Sequence, residues 1–105
     1  MELKEKKLQE MQMLEQTLQN LFFQKQGFQM ELSETLSAMK EIENSGEPIF
    51  KIIGQLMIKK DKDKVKEELE TKKKMIELRL KTLEKQEESL ETQAQNLRKQ
   101  LVKER

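Results

Sequence analysis

Leu69, Ile76, Leu83, Leu90 and Leu97 recur every seven residues without a break. A strict seven-residue apolar repeat is the mark of helices that bury one narrow seam against each other. The companion positions are Lys73, Leu80, Glu87, Ala94 and Leu101, so this helix is strong on one side of its seam and leaky on the other. The N-terminal part of the chain carries the same period. One seam position holds Met11, Leu18, Lys25, Leu32 and Met39, the other Leu14, Leu21, Phe28, Thr35 and Ile42. The chain therefore reads as two coiled-coil arms.

Composition agrees with a narrow buried seam and not with an ordinary globular core. Charged residues make up 39% of the 105 residues and apolar ones 34%, with four Phe and no Trp or Tyr. Such a composition means disorder or long helices, and the periodicity decides for helices.

Helix breakers concentrate in one place: Asn44, Ser45, Gly46 and Pro48, with Gly54 shortly after. The only other Gly, Gly27, lies off the seam of the first arm. The first helix is expected over about 2–43. The second is expected over about 62–104, opened by Asp61 as N-cap with Asp63 in its first turn. Equal arms around a break predict an antiparallel hairpin of helices, each spanning roughly 65 Å at 1.5 Å per residue.

The break is more than a turn. Ile49, Phe50, Ile52 and Ile53 form one short run of strand formers; Leu56, Met57 and Ile58 lie in the next. Gly54-Gln55 between them suits a two-residue type II′ turn, which needs Gly at its first central position. A β-hairpin over about 49–60 follows. A lone two-stranded hairpin is marginal in water and leaves both edges unpaired. It calls for strands from other chains, so the fold class is mainly α: a two-helix antiparallel coiled coil whose single central hairpin joins an intersubunit sheet or β-barrel.

Several function classes find no support in the residues. Cys and His are both absent, which removes disulfides, thiolate metal sites and the commonest general base. No Gly-rich phosphate loop occurs, and the many carboxylates lie on helix exteriors, so neither enzyme chemistry nor a cofactor is expected. The Lys-rich stretches "KKDKDK" and "ETKKK" are interrupted by acids and carry no interleaved aromatics; with a net charge of +1, nucleic acid is not an expected partner. The start "MELKEKKLQE" lacks a signal peptide's apolar core, and no run approaches the roughly 20 apolar residues of a membrane span. A soluble, intracellular chain without a membrane partner is the expectation.

The centre and second arm resemble the prefoldin family, in its β-type subunits. "KIIGQLMIKKDKDKVKEELE" (Lys51–Glu70) is similar to that family's hairpin and helix start: K-I-x-G, a short apolar strand, an Asp cap and a Val-x-Glu-Glu-Leu turn. "ELRLKTLEKQEESLE" (Glu77–Glu91) resembles its second arm, and "QKQ" (Gln24–Gln26) fits its first. The likeness covers essentially the whole chain as one domain, 1–105. Gly27, Lys60 and Lys64 depart from the pattern without disturbing seam or hairpin.

The resemblance implies a cytoplasmic hexamer of two α-type and four β-type subunits, joined by a double β-barrel of hairpins. It implies an ATP-independent holdase that captures non-native polypeptides at the distal tips of its arms and delivers them to a group II chaperonin. The assembly residues would be Ile49, Phe50, Ile52, Ile53, Leu56, Met57 and Ile58. The client-binding tip would comprise Leu3, Leu8, Met11, Met13, Leu14, Leu97, Leu101 and Val102. Seam spacing makes Met11, Leu14, Leu97 and Leu101 packing residues first, whereas Leu3, Met13 and Val102 lie off the seam and are expected in solvent. Phe22 flanks the seam and is expected to pack; its neighbour Phe23 points away. The rival reading is a structural coiled-coil scaffold or adaptor without chaperone activity, which accounts for the heptads but not for the Ile-rich centre.

Overall fold

The computed structural model describes residues 2–103; Met1, Arg105 and Glu104, the last residue expected in the second helix, lie outside the described residues. Four elements follow in order: α1 (Glu2–Asn44), β1 (Ile49–Ile53), β2 (Leu56–Lys60) and α2 (Lys62–Lys103). The two long helices and one central antiparallel hairpin match the expected fold within the chain.

Each helix end has a chemical reason. Glu2 and Glu5 sit in the first turn of α1, where the dipole favours acids. The last turn of α1 tightens at Ser45, whose amide and hydroxyl both donate to the Ile42 carbonyl, at 3.3 and 3.0 Å. Gly46 and a cis Glu47–Pro48 bond then carry the chain out of the helix. Asp61 caps α2 as its residue type predicts: its Oδ1 accepts the Asp63 amide at 3.1 Å, and its carbonyl accepts the Val65 amide at 3.1 Å.

Strand pairing runs from Ile49 opposite Lys60 to Ile53 opposite Leu56. Gly54 has φ 61° and no non-glycine residue among those described has positive φ. Positive φ at the first central residue alone is the type II′ pattern. A side chain at 54 would be strained for this reason, not for lack of space.

The chain falls into two compact units, one made of the residues up to Gly27 and from Leu80 onward, the other of Phe28–Arg79. In the first unit, Met11, Ala94 and Leu97 form a buried cluster with Leu14 packed against it, and Leu21 and Leu83 are buried too. The start of α1 thus lies against the end of α2, antiparallel. Lys25 and Glu87, which the heptads read as separate polar interruptions, meet across this seam at 2.8 Å, with side chains only 23% and 17% exposed. The hydrogen bond from Lys25 to Glu87 raises the lysine's pKa above its ordinary value, with the nearby Glu84 and Glu91 adding to the effect. A seam that must hold one cation and one anion in register disfavours other alignments of the same helices.

In the second unit Thr35 and Ile76, both at seam positions, are buried. The Thr35 hydroxyl donates to the Glu31 carbonyl at 2.8 Å, which satisfies the buried polar group. Glu43 of α1 pairs with Lys66 of α2 at 2.9 Å, and the Lys66 hydrogen bond holds the Glu43 carboxyl below the usual range. Lys62 closes the loop by donating to the Ser45 carbonyl at 2.6 Å.

Gly27 is a helical glycine with open space around it. Gly27→Ala removes backbone entropy from the unfolded chain and adds a Cβ that meets nothing. It should stabilise α1 by about 1 kcal/mol, read as a higher midpoint in thermal or urea unfolding followed by circular dichroism.

Candidate functional site

The hairpin is the first candidate surface. Pairing and alternation place Ile49, Lys51, Ile53, Leu56, Ile58 and Lys60 on one face, and Phe50, Ile52, Met57 and Lys59 on the other. Both faces carry more apolar residues than polar ones, although Lys51 stands opposite Ile58 in the middle of the first. An antiparallel sheet with a solvated side alternates apolar and polar residues; this one does not. Phe50, Ile52, Ile53, Leu56, Met57 and Ile58 are all exposed, Ile52 to 70%, and only Ile49 is half-buried. Every expected assembly residue thus lies on one small sheet, and six of the seven show apolar surface to solvent.

At its base the hairpin is fastened to the helices. Lys51 reaches Glu68 of α2 at 3.7 Å. Between β1 and the helices runs a groove of about 510 Å³, lined mainly by Ala38, Ile42, Ile49, Phe50, Val65 and Leu69. The heptads place Ile42 and Leu69 on the seam but give no sign of this groove. It is lined jointly by residues of α1, β1 and α2, a juxtaposition that no periodicity encodes.

The apolar residues near the chain ends divide into two sets. Met11 and Leu97 are buried, Met11 to 7% exposure, and Leu14 and Leu101 are half-buried. These four make up seam packing. Leu3, Leu8, Met13 and Val102 are exposed, Met13 to 69%. The structure does not present the eight expected tip residues as one open patch: four are individually exposed, and four are packed in the seam.

Phe22 departs from expectation. It does not pack into the seam but stays 47% exposed, with its ring 6.0 Å from that of Phe23 at 57°. The reason is its position one residue beyond the buried Leu21, at the edge of the seam where the flanking groove is lined by Lys81, Glu84, Lys85, Glu88 and Glu91. No apolar side chain of α2 is there to cover it. Met30 and Met75 lie off the seam as their spacing predicts, and both are exposed.

Among the described residues, no three of His, Cys, Asp or Glu come together as metal ligands, and no helix is long and apolar enough to cross a membrane.

Comparison with known proteins agrees with this architecture. A family model described as "Prefoldin subunit" matches residues 5–104. The "Prefoldin subunit beta" of Thermococcus onnurineus (strain NA1) is 45% identical over 58 residues, which are 53% of this chain and 50% of that protein. The match therefore spans about half the length of that relative. The crystal structure of the prefoldin beta subunit from Thermococcus strain KS-1 superposes with a TM-score of 0.87 at 35% identity, covering 93% of this chain and 88% of that one. A family match over nearly the whole chain, two heptad helices and a single central hairpin have one reading: the chain belongs to the prefoldin subunit family of chaperone components, and its likeness within that family is to β subunits.

Proposed function

We propose that the chain acts as a single prefoldin-type domain, a β-type subunit of an ATP-independent holdase that works in the cytoplasm. Its hairpin joins a β-barrel shared between subunits, in a hexamer of two α-type and four β-type chains. Apolar residues near the chain ends hold non-native polypeptides, which pass from there to a group II chaperonin. Leu3, Leu8, Met13 and Val102 make the direct client contacts, and Met11, Leu14, Leu97 and Leu101 hold the helix ends together behind them.

The observation that carries this reading is a hairpin apolar on both faces and exposed on both, within a family of chaperone subunits. Such a hairpin is marginal alone and is completed by strands of other chains. Weak client contacts on several joined arms gain strength through effective concentration. Release then comes from competition by the next chaperone.

The test is co-expression with an α-type prefoldin subunit, mass measurement of the product, and aggregation of a chemically denatured client diluted into it. The expected result is a hexamer mass and suppression of light scattering at near-stoichiometric amounts without ATP. A hexamer that leaves aggregation unchanged would make the chain a structural coiled-coil scaffold.

A further inference from the structure

We propose that the groove between β1 and the helices is a second contact between neighbouring subunits, and that it receives the helix root of the next prefoldin subunit in the ring. The proposal rests on the hairpin-mediated assembly described above and adds to it a contact that involves no strand pairing.

Three observations carry it. Six of the eleven residues that line the groove of about 510 Å³ are apolar, and the other five are Glu41, Ser45, Lys51, Glu68 and Lys72. It is continuous with the hairpin, since Ile49 and Phe50 belong both to β1 and to its lining. The third is spacing. Strands in a sheet lie about 4.8 Å apart, so one hairpin takes up roughly 10 Å of sheet. Packed helices also lie about 8–10 Å apart, and each chain brings two of them to its hairpin. When hairpins pair edge to edge, the root of the neighbouring coil falls within helix-packing distance of this one. An apolar groove at that place meets the neighbour's helix and not water.

Ala38 and Val65 lie on either side of the groove and outside the heptad seams, so they can be changed without opening the coil. The chain contains no cysteine, so a single thiol reports unambiguously. Val65→Cys places it in the groove and Ser89→Cys places a control on an exposed face of α2. Alkylation by a maleimide is followed in each chain alone and in complex with an α-type subunit. The thiol at 65 should react about tenfold or more slowly in the complex, as burial in an interface requires, and the thiol at 89 at an unchanged rate. Ala38→Lys should in parallel raise about tenfold the concentration below which the complex dissociates on dilution, at unchanged helical content.

Four results are distinguishable. A protected thiol in the complex supports the proposal. A complex that forms while the thiol stays reactive overturns the groove contact and leaves hairpin assembly standing. Protection only after a denatured client is added overturns it in favour of a client site. Failure of the unmodified chain to join an α-type subunit overturns hairpin assembly and the groove contact together.

Discussion

Ile52→Asp should leave the chain helical and abolish its assembly with α-type subunits. Ile52 stands in the middle of β1, opposite Met57, and is the most exposed apolar residue of the hairpin at 70%. In the isolated chain an aspartate there meets water and costs little. In a shared barrel it lies among apolar side chains on a face with Phe50 and Met57, with Lys59 at the far end as the only cation. An uncompensated charge buried in this way costs roughly 3–5 kcal/mol. That corresponds to about 10² to 4 × 10³-fold in the association constant for each contact of this kind, and a hexamer contains several. Light scattering on a mixture with an α-type subunit should show separate components, while circular dichroism of the variant alone stays that of the parent. A hexamer of full mass would remove the hairpin from assembly.

The contrast between the two states is what makes the position diagnostic. Leu83 on the seam is also central and apolar, but it is already buried within the chain. An aspartate there would unfold the coil first, and loss of assembly would say nothing about the interface. Ile52 has almost no packing inside its own chain to lose, so its effect belongs to the partner.

Much of this was legible in the sequence because periodicity is a local property. The seam residues from Met11 to Ile42 and from Leu69 to Leu101 are all buried or half-buried in the structure. The Gly54-Gln55 turn fixes the hairpin's register as its residue types require. What the repeat could not give was anything that depends on which residue faces which. Lys25 and Glu87 look like two flaws when each helix is read alone, and become one ion pair only when the helices are set in register. Phe22 looks like a packing residue from its distance to the seam. It is left open because the residues of α2 that reach its groove are Lys and Glu. The groove beside Val65 depends on bringing residues of α1, β1 and α2 together, to which no sequence repeat corresponds.

The second large effect concerns client capture, and the burial pattern sharpens how it should be tested. Removing the chain ends wholesale would take Leu97 out of the cluster it forms with Met11 and Ala94. Loss of activity would then be inseparable from loss of the coil. The four exposed residues offer a cleaner experiment. Leu3→Ser, Leu8→Ser, Met13→Gln and Val102→Thr together remove apolar surface from solvent and leave every buried seam residue in place. Exposed substitutions of this kind each shift stability by about 0.5 kcal/mol or less, so the quadruple variant should fold and assemble with α-type subunits as the parent does. Its holdase activity should fall steeply. In the proposed hexamer each arm contributes a weak contact and the arms act through effective concentration, so weakening every β-type arm at once would multiply the loss. About ten times more complex should be needed for equal suppression of client aggregation. Undiminished protection by an intact hexamer would move client binding away from these residues. The exposed Phe22–Phe23 pair would then be the next surface to alter, since it lies in the same compact unit and also shows apolar area to solvent.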